Sequence, residues 1–331
     1  MEYVWLLAGF VLLVIGADIF VEGSSAIAKL FKIPSIIIGL TIVAFGTSMP
    51  EASVSISAAL SGNNDIAVSN VIGSNIFNLL VVLGASALIC PVRANGSAIK
   101  KEIPFSIVVT VLLGILLAAG VSFGEPAAAG IEKFLGAEFT LGLAGGIVLL
   151  VFFAFYMYWQ ISGALKARKS GEIEEELDDG SKKFPPMMAA EMVILGLVGI
   201  IMGGNIVVEN ASVIAEKLGM SQTLIGLTIV AIGTSLPELV TSIVAARKGE
   251  SDIALGNVIG SNVFNIVFIL GASALLAPMT VDIASIYDTI VLFFVSILSL
   301  VFAKTKKLFS RWEGAVMLGI YAVYFAYILV R

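Results

Sequence analysis

The chain contains an internal repeat. Residues 39–91, which begin GLTIVAFGTSMPE, align without a gap with residues 226–278, which begin GLTIVAIGTSLPE, and 34 of the 53 aligned positions are identical. One constant repeat offset pairs Gly39 with Gly226 and Pro91 with Pro278, and a weaker match at the same offset pairs 16–28 with 203–215. A long ungapped match of this kind indicates that the chain holds two copies of one structural unit.

Both copies are strongly apolar. Only 13% of the 331 residues are charged and 59% are hydrophobic, whereas a soluble domain carries about 25% charged residues. Uninterrupted apolar runs long enough to cross a ~30 Å hydrocarbon core recur along the chain. We therefore expect an all-α polytopic membrane protein of ten transmembrane helices. The predicted spans are 3–28, 35–61, 66–90, 103–121, 140–165, 188–215, 222–246, 253–277, 285–303 and 312–330.

A hydrophilic segment divides the spans into two groups of five. We predict a first five-helix repeat at 1–165, a linker rich in acidic residues at 166–187 and a second repeat at 188–331. Because five is odd, the second repeat enters the membrane from the opposite side. With the N-terminus outside, sixteen of the 19 Lys and Arg residues lie inside, and only Lys133, Lys217 and Arg331 lie outside. The positive-inside rule thus predicts two inverted repeats in the cell membrane, with both termini outside and the linker cytosolic.

Inverted repeats are typical of transporters that alternate access to a site near the membrane midplane. Glu51 is the only charged residue between Ile33 and Gly62, and its repeat partner Glu238 is the only one from Gly219 to Ala246. A lone carboxylate at this depth costs several kcal/mol. We expect the two glutamates to bind cations there; the alternative is a pair of protonated glutamates that share hydrogen bonds.

Prolines next to these glutamates predict further oxygen ligands. Pro50 and Pro237 lack an N–H group and crowd the carbonyl four residues earlier, so each is expected to break its helix and free carbonyls near Thr47 and Thr234. The neighbouring hydroxyls come from Thr47, Ser48, Thr234 and Ser235. A set made only of hard oxygen donors suits Ca²⁺, Na⁺ or Mg²⁺.

The spans that follow carry SNVIGSNIFN and GNVIGSNVFN. Ser74 and Asn78 share one helix face, as do Ser261 and Asn265, and they supply neutral oxygens. Small and amide side chains also let helices pack closely, and for Asn70, Asn75, Asn257 and Asn262 the packing and functional interpretations are equally supported. Asp18, Glu22 and Glu209 are expected near an interface or access path and are not assigned as ligands.

Enzymatic and cofactor chemistry find little support. The sequence contains no histidine and a single cysteine, Cys90, which argues against imidazole relays and cysteine-rich metal clusters. An intramembrane hydrolase that used Ser48 or Ser235 would have neither histidine nor a nearby lysine as its base. The inverted repeat also disfavours a channel. We expect a non-enzymatic transporter that needs no cofactor.

The GTSMPE, GTSLPE, GSNIFN and GSNVFN segments resemble the two α-repeats of the sodium/calcium exchanger family, in its prokaryotic form. The resemblance implies that Glu51 and Glu238 hold Ca²⁺ together with the Thr47 and Thr234 carbonyls. It places Na⁺ in overlapping sites formed with the Ala44 and Ala231 carbonyls and with Ser48, Ser235, Ser74 and Ser261, and it places Asn78 and Asn265 beside the centre. Some relatives carry Asp at the position of Asn265, so K⁺ co-transport is disfavoured here.

These observations predict Na⁺/Ca²⁺ antiport by alternating access. H⁺/Ca²⁺ exchange at the same site stays open because glutamates titrate, and Mg²⁺ is disfavoured because it keeps its waters. The expected partners are the transported Ca²⁺ and Na⁺ and the lipid bilayer, with no nucleic acid and no obligate protein partner.

Overall fold

The computed structural model describes residues 1–123, 137–170, 184–220, 225–281 and 283–330. Helices account for most of these residues. In chain order they are α1 (Glu2–Phe31), α2 (Ser35–Thr47), α3 (Met49–Leu60), α4 (Asn64–Ile89), α5 (Ala98–Ala119), α6 (Leu143–Ser170), α7 (Pro186–Lys217), α8 (Thr228–Thr234), α9 (Leu236–Arg247), α10 (Ser251–Leu276), α11 (Ile283–Lys306) and α12 (Arg311–Val330).

The described helices form ten candidate membrane spans. Eight single helices are long and apolar enough to cross a bilayer, and the pairs α2–α3 and α8–α9 each make one bent span. Helices α4 and α10 begin and end at equivalent positions of the two repeats. The predicted fold class, ten membrane helices in two inverted repeats, is confirmed.

The bends lie where the prolines predict them. The α2–α3 pair bends by 50° and the α8–α9 pair by 51°. Ser48 and Ser235 leave the helical conformation with ψ of 6° at the breaks, and Pro50 and Pro237 follow in the first turn of the next helix. Because proline has no N–H to donate, a continuous helix would lose one bond at this point. The chain restarts the helix there instead.

Helices α1 and α7 run antiparallel in close contact. A Cβ added to Gly16 would lie 2.7 Å from the Ile200 nitrogen, and one added to Gly203 would lie 2.6 Å from the Leu13 nitrogen. Later residues of α1 therefore contact earlier residues of α7, so the two helices are antiparallel, as inversion of the two repeats requires. Such backbone contact depends on glycine, since any larger residue would separate the helices.

Short strands join the loops, and the sequence did not predict them. Antiparallel pairing links β1 (Val92–Arg93) to β5 (Leu308–Phe309), and β2 (Val121–Phe123) and β4 (Met279–Val281) each pair with β3 (Ala137–Leu141).

Both limits of one predicted span are wrong. The span predicted at 140–165 begins within β3, because only Gly142 separates Leu141 of that strand from the start of the helix. Helix α6 itself begins at Leu143 and extends to Ser170, into the segment predicted as linker. Residues 171–183, which hold the predicted acidic run, lie outside the described residues.

Candidate ion-binding site

Glu51 and Glu238 lie at the two helix restarts, in the first turns of α3 and α9, and both are fully buried. Helix N-termini carry partial positive charge, which favours a carboxylate. Each glutamate accepts a hydrogen bond from the other repeat. Ser48 Oγ donates to Glu238 Oε1 at 2.9 Å, and Ser235 Oγ donates to Glu51 Oε1 at 2.9 Å. The two halves therefore meet at their glutamates.

Asparagines on α4 and α10 repeat this exchange. Asn75 donates to the Asn262 carbonyl at 3.0 Å, and Asn262 donates to the Asn75 carbonyl at 3.2 Å. Asn78 donates to Asn262 Oδ1 at 3.2 Å, and Asn265 donates to Asn75 Oδ1 at 3.0 Å. When each residue is replaced by its equivalent in the other repeat, one bond of a pair becomes the other. A pseudo-twofold axis therefore passes through this cluster. A π-helical turn begins at Asn78 and another at Asn265, and such turns are frequent at functional sites.

Oxygen atoms at the centre of the cluster lack partners. Buried polar atoms in proteins are nearly always hydrogen-bonded. Among the described residues, the buried side-chain oxygens of this cluster that make no hydrogen bond are Glu51 Oε2, Glu238 Oε2, Asn78 Oδ1, Asn265 Oδ1 and Ser261 Oγ. Four of the five are acceptors only, and two belong to carboxylates. Such a set is suited to a hard cation that prefers oxygen ligands.

The two repeats differ at the remaining predicted ligands. Ser74 bonds to Ser235 at 3.1 Å. Both threonines reach a carbonyl three residues earlier in their own helix, Thr47 at 3.4 Å and Thr234 at 3.3 Å. Thr47 is fully buried and also lies 2.9 Å from Asn257 Oδ1 of the other repeat, whereas Thr234 is half-buried. The symmetry of the centre therefore ends at the threonines.

The alanine carbonyls differ in the same way. Ala44 is buried, and its carbonyl accepts the Ser48 N–H at 3.1 Å. Ala231 is exposed, and the Ser235 N–H bonds instead to the Ile232 carbonyl at 3.1 Å. Of the twelve predicted ligand positions, Ala231 is exposed, Thr234 is half-buried and the other ten are buried.

A cavity of about 500 Å³ reaches the site from one side. It lies between α3, α7, α8 and α9, and Pro50, Pro237 and Thr234 line its inner end. Asn205 and Glu209 line it from α7, and we call it the α7 cavity. The half-buried Thr234 therefore lines this cavity, and its buried counterpart Thr47 is not among the lining residues.

Asn70 and Asn257 support the glutamates rather than face the centre. Asn70 Nδ2 donates to the Glu51 carbonyl at 3.4 Å and to Ser55 Oγ at 2.9 Å. Asn257 makes the same two bonds at the same distances, to the carbonyl of the second glutamate and to Ser242. The sequence held a signal for this role, because the asparagine and the serine are identical in both repeats at the same spacing.

Inverted repeats with two broken spans are typical of membrane transporters. A family model described as sodium/calcium exchanger protein matches residues 1–162 and 188–330. The chain therefore belongs to the sodium/calcium exchanger family, a family of membrane antiporters and not of enzymes.

Full-length relatives and solved structures agree with this assignment. The chain is 40% identical to the putative antiporter CaxA of Alkalimonas amylolytica over 95% of this chain and 94% of the relative. It is 33% identical to the sodium/calcium exchanger MaX1 of Methanosarcina acetivorans, over 98% and 97%. A solved structure of the sodium-calcium exchanger NCX_Mj matches with a TM-score of 0.81 and 30% identity, over 99% of this chain and 98% of that one.

Proposed function

We propose that this protein exchanges Na⁺ for Ca²⁺ by alternating access at the cluster between Glu51 and Glu238. The observation that carries the proposal is a set of buried oxygen atoms that make no hydrogen bond, two of which belong to these carboxylates. Names of similar proteins support the ion pair, since both MaX1 and NCX_Mj are called sodium/calcium exchangers.

The charge of the cluster suits one divalent cation. When both glutamates are ionised, the centre carries −2, which one Ca²⁺ balances. The same oxygens would hold Na⁺ when Ca²⁺ is absent, so the two ions exclude one another. The proposed ligands are the side chains or carbonyls of Glu51, Glu238, Thr47, Thr234, Ser48, Ser235, Ala44, Ala231, Ser74, Ser261, Asn78 and Asn265.

Obligate exchange follows from the cost of an empty site. Two unbalanced carboxylates at membrane depth would cost several kcal/mol each, so the empty transporter resists changing its facing side. Bound cations remove that cost. The close backbone contacts at Gly16 and Gly203 hold α1 and α7 against one another, so these two helices would slide over the other spans as a unit.

The α7 cavity beside Thr234 would be the extracellular access path. This assignment rests on the charge asymmetry of the loops, which supports both termini outside and the linker at 166–187 in the cytosol. The repeat units at 1–165 and 188–331 would then cross the membrane in opposite senses.

H⁺/Ca²⁺ exchange is the second candidate, because the orphaned carboxylate oxygens would also accept protons. Purified protein in liposomes separates the two functions. We expect ⁴⁵Ca²⁺ uptake driven by an outward Na⁺ gradient at equal pH on both sides, and no uptake driven by a pH gradient without Na⁺. Uptake driven by the pH gradient alone would establish the second candidate. Equal uptake with no gradient of either ion would contradict antiport.

A further inference from the structure

Lys248 connects α1 to the end of α9 on the side opposite the α7 cavity. Its Nζ lies 2.9 Å from Asp18 Oδ1 and 3.5 Å from Glu22 Oε2, and it donates to the Asp18 carbonyl at 3.0 Å. Lys248 follows the last residue of α9, whereas Asp18 and Glu22 lie one turn apart on α1. We call Asp18, Glu22 and Lys248 the α1 latch.

A hydrogen bond accompanies the α1 latch. Ser25 Oγ on α1 donates to Glu250 Oε1 at 2.5 Å. Both residues line a cavity of about 280 Å³ together with Glu22, Lys248 and Phe184. On this side, therefore, α1 is held against the bundle by two ion pairs and a charge-assisted hydrogen bond.

The other repeat lacks the charges needed for an equivalent latch. The repeat offset relates Lys248 to Ser61 and Asp18 to Asn205, while Glu22 keeps its charge as Glu209. Ser61 is exposed and donates to the carbonyl of Ser57 in its own helix at 2.8 Å. Because serine cannot form an ion pair, α7 cannot be held in this way.

The other repeat also lacks the equivalent of the hydrogen bond between Ser25 and Glu250. Ser25 corresponds to Ser212 on α7, and Glu250 corresponds to Asn63. Within the described residues, Ser212 Oγ is buried and makes no hydrogen bond. The contacts of α1 are therefore formed on the side of Lys248, whereas the equivalent hydroxyl of α7, on Ser212, makes no hydrogen bond within the described residues.

We propose that Lys248 is a positioning residue of the transport cycle, which favours the conformation open through the α7 cavity by holding α1 to the bundle. The inference rests on the alternating access of the proposed function. In the opposite conformation α1 moves away, the α1 latch opens, and the mirror contact that replaces it carries no ion pair. The two facing states are thus unequal in the absence of ions.

The expected size is moderate because the groups are partly exposed. The side chain of Lys248 is 28% exposed, against 52% for Asp18 and 37% for Glu22. Partly exposed ion pairs shift an equilibrium by up to about fivefold each. With two pairs, loss of the lysine charge should shift the ratio of facing states by about three- to tenfold.

Paired cysteine reporters measure this ratio. Ser53 is exposed and lines the α7 cavity, and its repeat counterpart Val240 is half-buried. Each is changed to cysteine in a Cys90→Ser background, in purified protein reconstituted without Na⁺ or Ca²⁺. The reaction rate with a membrane-impermeant methanethiosulfonate then reports opening on either side.

Loss of the α1 latch should move the two reporters in opposite directions. With Lys248→Gln we expect slower labelling of Ser53→Cys and faster labelling of Val240→Cys, and the two fold-changes multiplied together should amount to about three- to tenfold. Lys248→Arg should restore both rates, and Lys304→Gln, which removes an exposed charge elsewhere, should change neither. Equal rates in Lys248→Gln and the parent, or a change of both reporters in the same direction, would overturn the proposal.

A transplanted latch gives an independent test. Ser61→Lys with Asn205→Asp builds the missing charges beside Glu209, and it should shift the reporters in the same direction as Lys248→Gln. Failure of alternating access itself looks different. In that case the parent would show one reporter that never reacts under any Na⁺ or Ca²⁺ condition, whereas a failed latch leaves ion-dependent labelling of both reporters intact.

Discussion

Replacement of one central glutamate should affect Ca²⁺ far more than Na⁺. Glu51→Gln and Glu238→Gln each remove one charge but keep a side chain that accepts the bond from Ser235 or Ser48. The fold should therefore survive. Because the two residues are related by the pseudo-twofold axis and are equally buried, the two variants should lose function to a similar extent.

The magnitude follows from the charges. Two unit charges about 4 Å apart interact by about 4 kcal/mol at an effective dielectric constant of 20. Removal of one carboxylate thus costs a bound Na⁺ about 4 kcal/mol and a bound Ca²⁺ about 8 kcal/mol. The glutamine dipole offsets part of each loss. The difference, at about 1.4 kcal/mol per factor of ten, corresponds to a loss of Ca²⁺ preference over Na⁺ of up to about three orders of magnitude.

Equilibrium binding and flux together test this reasoning. Competition of Na⁺ against ⁴⁵Ca²⁺ on purified protein gives the preference, and Na⁺-driven Ca²⁺ uptake in liposomes gives the transport rate. Thermal unfolding in detergent verifies the fold, and Glu191→Gln, which removes an exposed carboxylate at the start of α7, serves as the matched control. A folded Glu51→Gln protein whose Ca²⁺ affinity stays within threefold of the parent would refute the site.

Asn265→Asp adds a third carboxylate at the centre and should create a dependence of Ca²⁺ uptake on K⁺ or on pH between 6 and 9, because the new charge needs another cation or a proton; identical responses in parent and variant would remove Asn265 from the centre. Gly203→Ala would place a Cβ 2.6 Å from the Leu13 backbone nitrogen, and we expect about 1–3 kcal/mol of destabilisation with slower transport. Gly319→Ala, which meets no atom within 4 Å, should lower neither the melting temperature nor the rate, and equal effects of the two changes would contradict the packing argument. Ser181→Cys, outside the described residues, should react with an impermeant maleimide only after intact cells are opened, and labelling from outside would reverse the proposed topology.

Much of the fold was predictable because the repeat constrains it so strongly. Identical spacing in both halves gave the ten spans, and Pro50 and Pro237 gave the positions of the two bends. The boundary of β3 was missed because only Gly142 separates Leu141, its last residue, from the start of α6 at Leu143. Two-residue strands such as β1 also leave no periodic pattern in a sequence.

The sequence predicted candidate residues for the site but not the contacts between them. A repeat offset shows which residues are equivalent, but it does not show which residues touch. That Ser48 bonds to Glu238 of the other repeat, and that Asn75 and Asn262 bond to one another, depends on how the repeats cross. The orphaned oxygens likewise emerge only when every hydrogen bond has been assigned.

The difference between the two sides could not come from the aligned sequence at all. Thr47 and Thr234 are equivalent residues in nearly identical segments, yet Thr47 is fully buried against Asn257 of the other repeat, whereas Thr234 is half-buried. The same short sequence therefore supports both arrangements in a single structure, so the intrinsic free-energy difference between them is small. A small difference is what allows bound ions, or a few charges such as Lys248 on one face, to decide which side is open.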